Sequence, residues 1–413
     1  MPWAEQSIMN QRLSFIAACL RQEEAMSQLC LRHGISRKTG YKWLSRYRET
    51  GVVGLEELSS APRTPSQTID HAIMASVLAL RDRRPAWGPR KLLARLRMDE
   101  PETAWPAAST VGDLLRREGR SAPKRRKPVD SRPAVGLIEA SAPNESWSAD
   151  FKGWFRTTDG VRCEPFTVTD GYSRYLLACE AVAQVTAERV RPILIRLFQD
   201  HGLPRALRTD NGTLVWPFHQ ATPDGTLGQP CPFARRDGLG GLTQLSVWLL
   251  KLNVWPDRIA PGRPDQNGRH ERMHRVLRED AANPPAATLD AQRRRMDAWR
   301  VDYNTQRPHE ALGQRCPATL YTASSRAYPA TIRDWDYPAD HQIRRVVGDG
   351  YIKWRDGTVY LSGALRGETV GVARRDDGDW TVRFRGFDLA ILPEGGGPLR
   401  RSGLARMPVY NVT

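Results

Sequence analysis

No two cysteines of this 413-residue chain form a C-x-x-C pair. The six present (Cys19, Cys30, Cys163, Cys179, Cys231 and Cys316) are scattered, which argues against a disulfide framework and a cysteine-based zinc finger. Such usage suits a reducing cytoplasm. Apolar runs long enough to cross a bilayer, about 18 residues or more, are also missing, so no transmembrane helix is expected. The opening MPWAEQSIMNQRLSF has an early acid and no long apolar stretch, unlike a signal peptide. Negative charge is short relative to positive: 62 Lys+Arg face 46 Asp+Glu, leaving a net +16. That surplus favours polyanionic partners, nucleic acid first, with a merely solvated basic surface as the plain alternative. With 40% hydrophobic and 26% charged residues the chain reads as globular modules rather than disorder, and its length suggests roughly three domains.

Residues 8–50 read as a small helical unit. AMSQLCLRHG is amphipathic and closes on Gly34, and Ser36 is a natural N-cap for RKTGYKWLSRYRE, which carries Trp43, Leu44 and Tyr47 for packing. A helix, a short turn and a helix studded with Arg37, Lys38, Lys42 and Arg46 predict a helix-turn-helix whose second helix enters the major groove. A three-helix packing unit with a basic surface is the alternative. A similar plan recurs at 70–119, where Ser109 or Thr110 is the expected cap of STVGDLLRREG. SAPKRRKPVDSRPAV then reads as an extended linker; its Lys124, Arg125, Arg126 and Lys127 either track phosphates or keep a tether solvated.

From Trp147 the period changes to two. In WSADFKGWF, Trp147, Ala149 and Phe151 alternate with Ser148, Asp150 and Lys152, the mark of a half-buried strand. EPFTVTD and SRYLLACEAVA follow as strands around a turn at Asp170–Gly171; TAERVRPILIRLFQDHG is a helix, and PRALRTD a short strand running into Asn211–Gly212. Strands, helix, strand and further helices make an α/β pattern with a mixed sheet. Residues 340–395 return to strand alternation, and a small β-barrel is expected there. Its Arg383 and Arg385 are expected outward, for DNA backbone or for solubility.

Three acids stand out: Asp150 on the first core strand, Asp210 at the end of the fourth, and Glu271 on a helix beginning after Asn267–Gly268. On a helical wheel Glu271 is grouped with His274, Arg275 and Arg278, opposite Met273, Val276 and Leu277. Glu271 also sits inside HERMH, residues 270–274, which matches the H-E-x-x-H zinc signature. Arg269, Arg272 and Arg275 surround it, a cationic shell that opposes a second cation and suits a phosphate backbone. The zinc match is therefore set aside as a coincidence, with His274 read as facing DNA beside Glu271 and His270 as packed or idle.

WSADFKG, RTDNG, PDQNGRHERMHRVLRE and YNTQRPHEAL, in that order, resemble the integrase-type core of bacterial insertion-sequence transposases, which share their catalytic core with retroviral integrases. The resemblance is strong over 144–320. It implies a multidomain α/β protein: helix-turn-helix domains at 1–58 and 66–120, a basic linker at 121–143, a ribonuclease H-like core at 144–320 and a small β-barrel at 335–398. It further implies a DDE triad of Asp150, Asp210 and Glu271 with two Mg²⁺ or Mn²⁺ ions, and hydrolysis and strand transfer at DNA phosphodiesters. Partners would be transposon-end and target DNA and further copies of the chain, dimer or higher, with no membrane, in a bacterial cytoplasm and on the nucleoid when DNA-bound. Arg269, Arg272, Arg275, Lys124–Lys127 and the basic residues of the first helix-turn-helix would contact DNA. Hard carboxylate oxygens suit such ions, and three acids beside a phosphate require them. Asp150 and Asp210 have 59 residues between them and Asp210 and Glu271 have 60, the second gap being longer than the integrase branch usually shows. The Pro/Gly-rich stretch 213–241 is expected to hold the surplus as a loop. A DNA-binding regulator with an inactive core and, more remotely, an HExxH zinc metalloprotease remain the alternatives.

Overall fold

The computed structural model of the chain describes residues 8–57, 70–121, 139–184, 186–209, 242–259, 268–396 and 399–401. Asp210, Lys124, Arg125, Arg126, Lys127 and the expected loop 213–241 lie outside them. The chain falls into two units, Met1–Asp70 and His71–Thr413.

The first unit packs α1 (Ile8–Arg21), α2 (Met26–Arg32) and α3 (Arg37–Thr50) with a 3₁₀ turn at Gly51–Leu55. Its core is Phe15, Ile16, Leu29, Cys30, Trp43, Leu44 and Leu55. Gly34 turns the chain at φ +64, a left-handed conformation that costs glycine little. Ser36 then caps α3, its hydroxyl accepting from the Thr39 N–H at 3.1 Å, as the sequence suggests. Gly40 lets α3 cross closely: a Cβ there would lie 2.6 Å from Cys30 Sγ and 3.0 Å from Phe15 Cζ.

The second unit opens with another trio, α4 (His71–Arg83), α5 (Pro89–Asp99) and α6 (Ala108–Arg117), around Val77, Leu92, Leu93, Val111 and Leu115. The cap of α6 is Ala107, not Ser109 or Thr110. Alanine's helix propensity carries the helix two residues further back, so both hydroxyl residues fall inside its first turn.

The central sheet contains β1 (Ser146–Phe151), β2 (Phe155–Arg156), β3 (Arg162–Asp170), β4 (Leu176–Val182), β5 (Ala206–Thr209) and β6 (Trp255–Arg258). WSADFKGWF is therefore two strands rather than one; Gly153 breaks it at φ +90. The strands run β4–β3–β1–β5–β6, antiparallel from β4 to β1 and parallel from β1 to β6, with β2 also on β3. This mixed sheet fits the ribonuclease H-like core expected. Helices cover both faces, which is why β3 is buried almost throughout instead of alternating. On one face α7 (Ala187–His201) and α8 (Gln244–Lys251) meet Trp147, Phe166 and Leu207. On the other, α9 (Gly268–Leu277) and α10 (Leu289–Thr305) meet Cys163, Leu176 and Cys179. Each large apolar side chain so enclosed contributes about 1.5–3 kcal/mol.

Beyond α10 come β7 (His341–Arg345), a hairpin of β8 (Tyr351–Trp354) and β9 (Gly357–Tyr360), then β10 (Thr369–Arg374), β11 (Trp380–Phe384), β12 (Phe387–Leu392) and β13 (Arg400–Arg401). They form an open antiparallel sheet, β13–β12–β11–β10–β7, with the β8–β9 hairpin separate. Among the described residues nothing joins β7 to β13, so the β module is observed without the closure that a barrel requires. α8 serves two cores: Val247 and Leu250 pack into this module while Leu245, Trp248 and Leu249 pack into the central sheet. Arg383 and Arg385 are both half-buried and each is bonded within the chain. Arg383 Nε meets Asp388 at 2.5 Å, and Arg385 donates to the Lys251 and Arg333 carbonyls at 2.8 Å each.

Candidate active site at the ends of the parallel strands

Asp150 is the penultimate residue of β1, half-exposed, its Oδ1 accepting from the Phe151 N–H at 2.8 Å. On one side β1 pairs with β5, Ala149 opposite Thr209; on the other it pairs with β3, Asp150 opposite Thr167. Asp150 thus stands at the carboxyl end of β1, and Asp210 follows the last residue of β5 in sequence. In open α/β sheets, ligands bind outside the carboxyl ends of parallel strands.

α9 crosses this region. Met273 and Leu277 are buried against β3 and β4, whereas Glu271 is exposed in the first turn. Among the described residues no ion pair joins Glu271 to a Lys or Arg, including Arg275 one turn further along the helix. Arg269, Arg272 and Arg275 are all exposed on the same helix. Arg269 lies close enough to Arg208 and Arg272 to feel both charges, and Arg174 feels Arg269 and Arg272. Burial foremost, with these neighbours, pushes Arg174 down to about 10. This positive concentration beside three exposed arginines suits a polyanion.

The histidines of HERMH require a correction. His274 does not share the exposed face with Glu271; it turns inward beside His270. At about 100° per residue, positions 270 and 274 lie only about 40° apart on a helix, so 270, 273, 274 and 277 make one inward stripe. A polar partner waits under that stripe. Thr167, fully buried on β3, has its hydroxyl 2.6 Å from His270 Nε2 and 2.8 Å from His274 Nε2. The same hydroxyl donates to the Asp150 carbonyl at 3.1 Å. Burial drives both imidazoles to the neutral form: His270 falls well below its usual range and His274 falls to about 3, Lys152 adding to the effect on His274. His270 is packed, as the sequence suggests, but neither histidine is idle. Together with Asp150 they bring three ligand atoms within 4.8 Å of one another.

YNTQRPHEAL turns out to be rich in structural contacts. Asn304 is buried and bonds both backbone groups of Leu176. Arg307 reaches Asp280 at 3.6 Å, and the His309 ring stands edge-on to Tyr303. The signal in the sequence was the polar run itself, since polar residues beside a buried strand must be bonded.

On α3 of the first unit, Arg37, Lys38 and Lys42 are exposed, and Arg46 is half-buried. Lys42 and Arg46 stack over Trp43, at 4.8 and 5.1 Å from the ring centre, with Arg12 at 3.9 Å.

Residues 140–264 match one family model described as an integrase core domain, and 252–317 match another of the same description. Residues 11–63 match a helix-turn-helix domain and 39–115 a homeodomain-like domain. This chain is a transposase with an integrase core. Its DNA binding resides in the helix-turn-helix modules ahead of that core. It is 28% identical over 288 residues to the insertion element IS407 uncharacterized 31.7 kDa protein of Burkholderia multivorans, covering 69% of this chain and 92% of that one. It is 25% identical over 300 residues to the insertion element IS476 uncharacterized 39.2 kDa protein of Xanthomonas euvesicatoria, covering 72% and 78%. A simian T-cell lymphotropic virus intasome structure aligns over 80% of this chain and 97% of that one, but at 13% identity and a TM-score of 0.34, too low to bear on the fold. Among the described residues no helix is long and apolar enough to cross a membrane.

Proposed function

We propose that Asp150, Asp210 and Glu271 are the catalytic carboxylates, and that the chain binds transposon-end DNA, cuts it and transfers it into target DNA. The observation that carries this is the position of Asp150 at the carboxyl end of β1, in parallel register with the strand that leads into Asp210, under a helix presenting an exposed Glu271. The donor set is all hard oxygen, with Asp150 half-exposed and Glu271 exposed, which fits Mg²⁺ or Mn²⁺. Two such ions bound there would activate the attacking oxygen and stabilise the leaving one in an in-line displacement.

The residues divide the remaining work. Asp150, Asp210 and Glu271 would hold these ions through their carboxylate oxygens, with Asp150 shared between the two sites. Arg269, Arg272 and Arg275 hold the DNA backbone against the acids, which would otherwise repel it. In the first step water attacks phosphorus at the transposon end; the bond to the 3′-oxygen breaks and frees a 3′-OH. In the second, that 3′-OH attacks a target phosphodiester, forms the new P–O bond and releases a target 3′-OH. No Tyr or Ser nucleophile is required. Arg37, Lys38, Lys42 and Arg46 contact end DNA from the first helix-turn-helix, and Lys124, Arg125, Arg126 and Lys127 follow phosphates between modules. Joining two ends to one target needs more than one active site, so the working form is a homo-oligomer, dimer or higher, in the cytoplasm and on the nucleoid. The domain limits are those given in the sequence reading, including closure of the C-terminal strands into a barrel.

A cleavage and strand-transfer assay with Mg²⁺ on cognate ends tests the reading. Asp150→Asn should lose activity by about a thousandfold, several kcal/mol of transition-state stabilisation, while still binding ends. Full activity in that variant would reject the triad. End binding without any cleavage in the wild type would favour an inactive, regulatory core.

A further inference from the structure

In the fold, HERMH gains the third ligand that its sequence lacks. We propose that Asp150, His270 and His274 form a binding site for a transition-metal ion of the zinc class, separate in its ligand chemistry from the all-oxygen acids and sharing only Asp150 with them. The inference goes beyond the proposed function and does not need Glu271 or Asp210 to be catalytic.

The two imidazoles are already aimed at one point. Their Nε2 atoms lie 2.6 and 2.8 Å from a single oxygen, Thr167 Oγ1, and the rings stand 4.8 Å apart at 80°. One carboxylate oxygen of Asp150 and one ring nitrogen of each histidine lie within 4.8 Å of one another. A zinc-class ion takes nitrogen and oxygen ligands at about 2.0–2.2 Å, so the group needs to close by an ångström or so, within reach of side-chain rotation. Two imidazole nitrogens beside one carboxylate favour Zn²⁺ or Co²⁺ over Mg²⁺.

Thr167 donates its one hydroxyl proton to the Asp150 carbonyl, and its oxygen can accept from both Nε2 atoms. When an ion replaces the hydroxyl, both Nε2 atoms offer lone pairs and the ring protons move to Nδ1. For His270 an acceptor stands ready, since Thr169 Oγ1 lies 3.3 Å from Nδ1. That outer bond is the kind that fixes a ligating imidazole in the right tautomer. Lys152, near enough for its charge to act on His274, opposes an added cation there, and Arg269, Arg272 and Arg275 do so from the exposed side of the same helix. On the proposed function, an ion held this way would occupy the Asp150 carboxylate and inhibit Mg²⁺-dependent cleavage.

The test is titration of the full-length, tag-free chain with Co²⁺, followed by its visible absorption, and X-ray absorption of the Zn²⁺-loaded protein. One ion per chain is expected, with two imidazole ligands in the X-ray spectrum. His270→Gln and His274→Gln should each weaken Co²⁺ binding by at least about tenfold. Should His270→Gln fail to fold, His274→Gln decides alone. Glu271→Gln should bind Co²⁺ as the wild type does while losing strand transfer, which keeps this site and the acid triad separately testable. No bound ion in the wild type, or histidine variants that bind like the wild type, would overturn the site and leave the triad untouched.

Discussion

Asn304 on α10 grips Leu176 on β4 by both halves of its amide: the Leu176 N–H donates to Oδ1 at 2.8 Å, and Nδ2 donates to the Leu176 carbonyl at 3.0 Å. Leu176 is fully buried at the start of the outermost antiparallel strand, and this single side chain ties the strand to the helix. Asn304→Ala should cost about 2–4 kcal/mol, because two buried backbone groups lose their partner. Asn304→Asp keeps an acceptor, loses the donor, and should fall between the two. Denaturant unfolding checks the order; equal stability of all three would show that water replaces the amide.

Gly40 is a packing requirement, not a flexible joint. Any side chain there meets Cys30 Sγ at 2.6 Å and Phe15 Cζ at 3.0 Å, in the core that sets α3 against α1 and α2. Gly40→Ala should destabilise the first unit by about 1–3 kcal/mol, offset only in small part by alanine's better helix propensity. Hydrogen exchange of the full chain should show faster opening at 8–57 and unchanged protection in the central sheet. Slower exchange at 8–57 would contradict the packing argument.

If Lys38 and Lys42 contact phosphates, each contributes to counterion release. Lys38→Ala/Lys42→Ala should lower the slope of log affinity against log salt by about 1.8, at about 0.9 per contact. The loss should be nearly uniform across sequences, because phosphate contacts carry no base information. An unchanged slope would remove both residues from the interface.

His309 makes a pH prediction. Burial, with Lys91, Arg307 and Arg174 adding, lowers its pKa from the usual 6.5 to about 3. The folded chain therefore keeps the ring neutral, while the unfolded chain takes up a proton near pH 6.5. Its contribution is fully present above that pH and is lost as pH falls toward 3, at about 1.4 kcal/mol per pH unit. His309→Phe keeps a ring against Tyr303 and removes the titration. Its Tm should fall less than that of the wild type between pH 7 and pH 4; parallel curves would contradict the shift.

Much of this was legible in the sequence where local rules act alone. Ser36 caps α3, Gly34 turns the chain before it, and Trp147 and Ala149 point into a core, because caps, turns and alternation are short-range effects. The positions of Asp150 and Glu271 on a strand end and an exposed helix face were also readable. What was not readable depended on the second partner. The inward turn of His274 is set by Thr167, 107 residues away in sequence. Burial of β3 on both faces depends on α9 and α10, which come later in the chain, so its alternation vanished. The C-terminal strands carried a strand signal, but alternation cannot report whether the last strand meets the first.

The central claim is that Asp150, Asp210 and Glu271 share bound metal. Replacing Mg²⁺ with Fe²⁺ and adding ascorbate and peroxide generates hydroxyl radicals that cut the backbone beside the ion. Cuts near residues 150, 210 and 271, all suppressed by excess Mg²⁺ and all lost in Asp150→Asn, are the predicted result. Cutting near 150 and 271 with residue 210 untouched would contradict it.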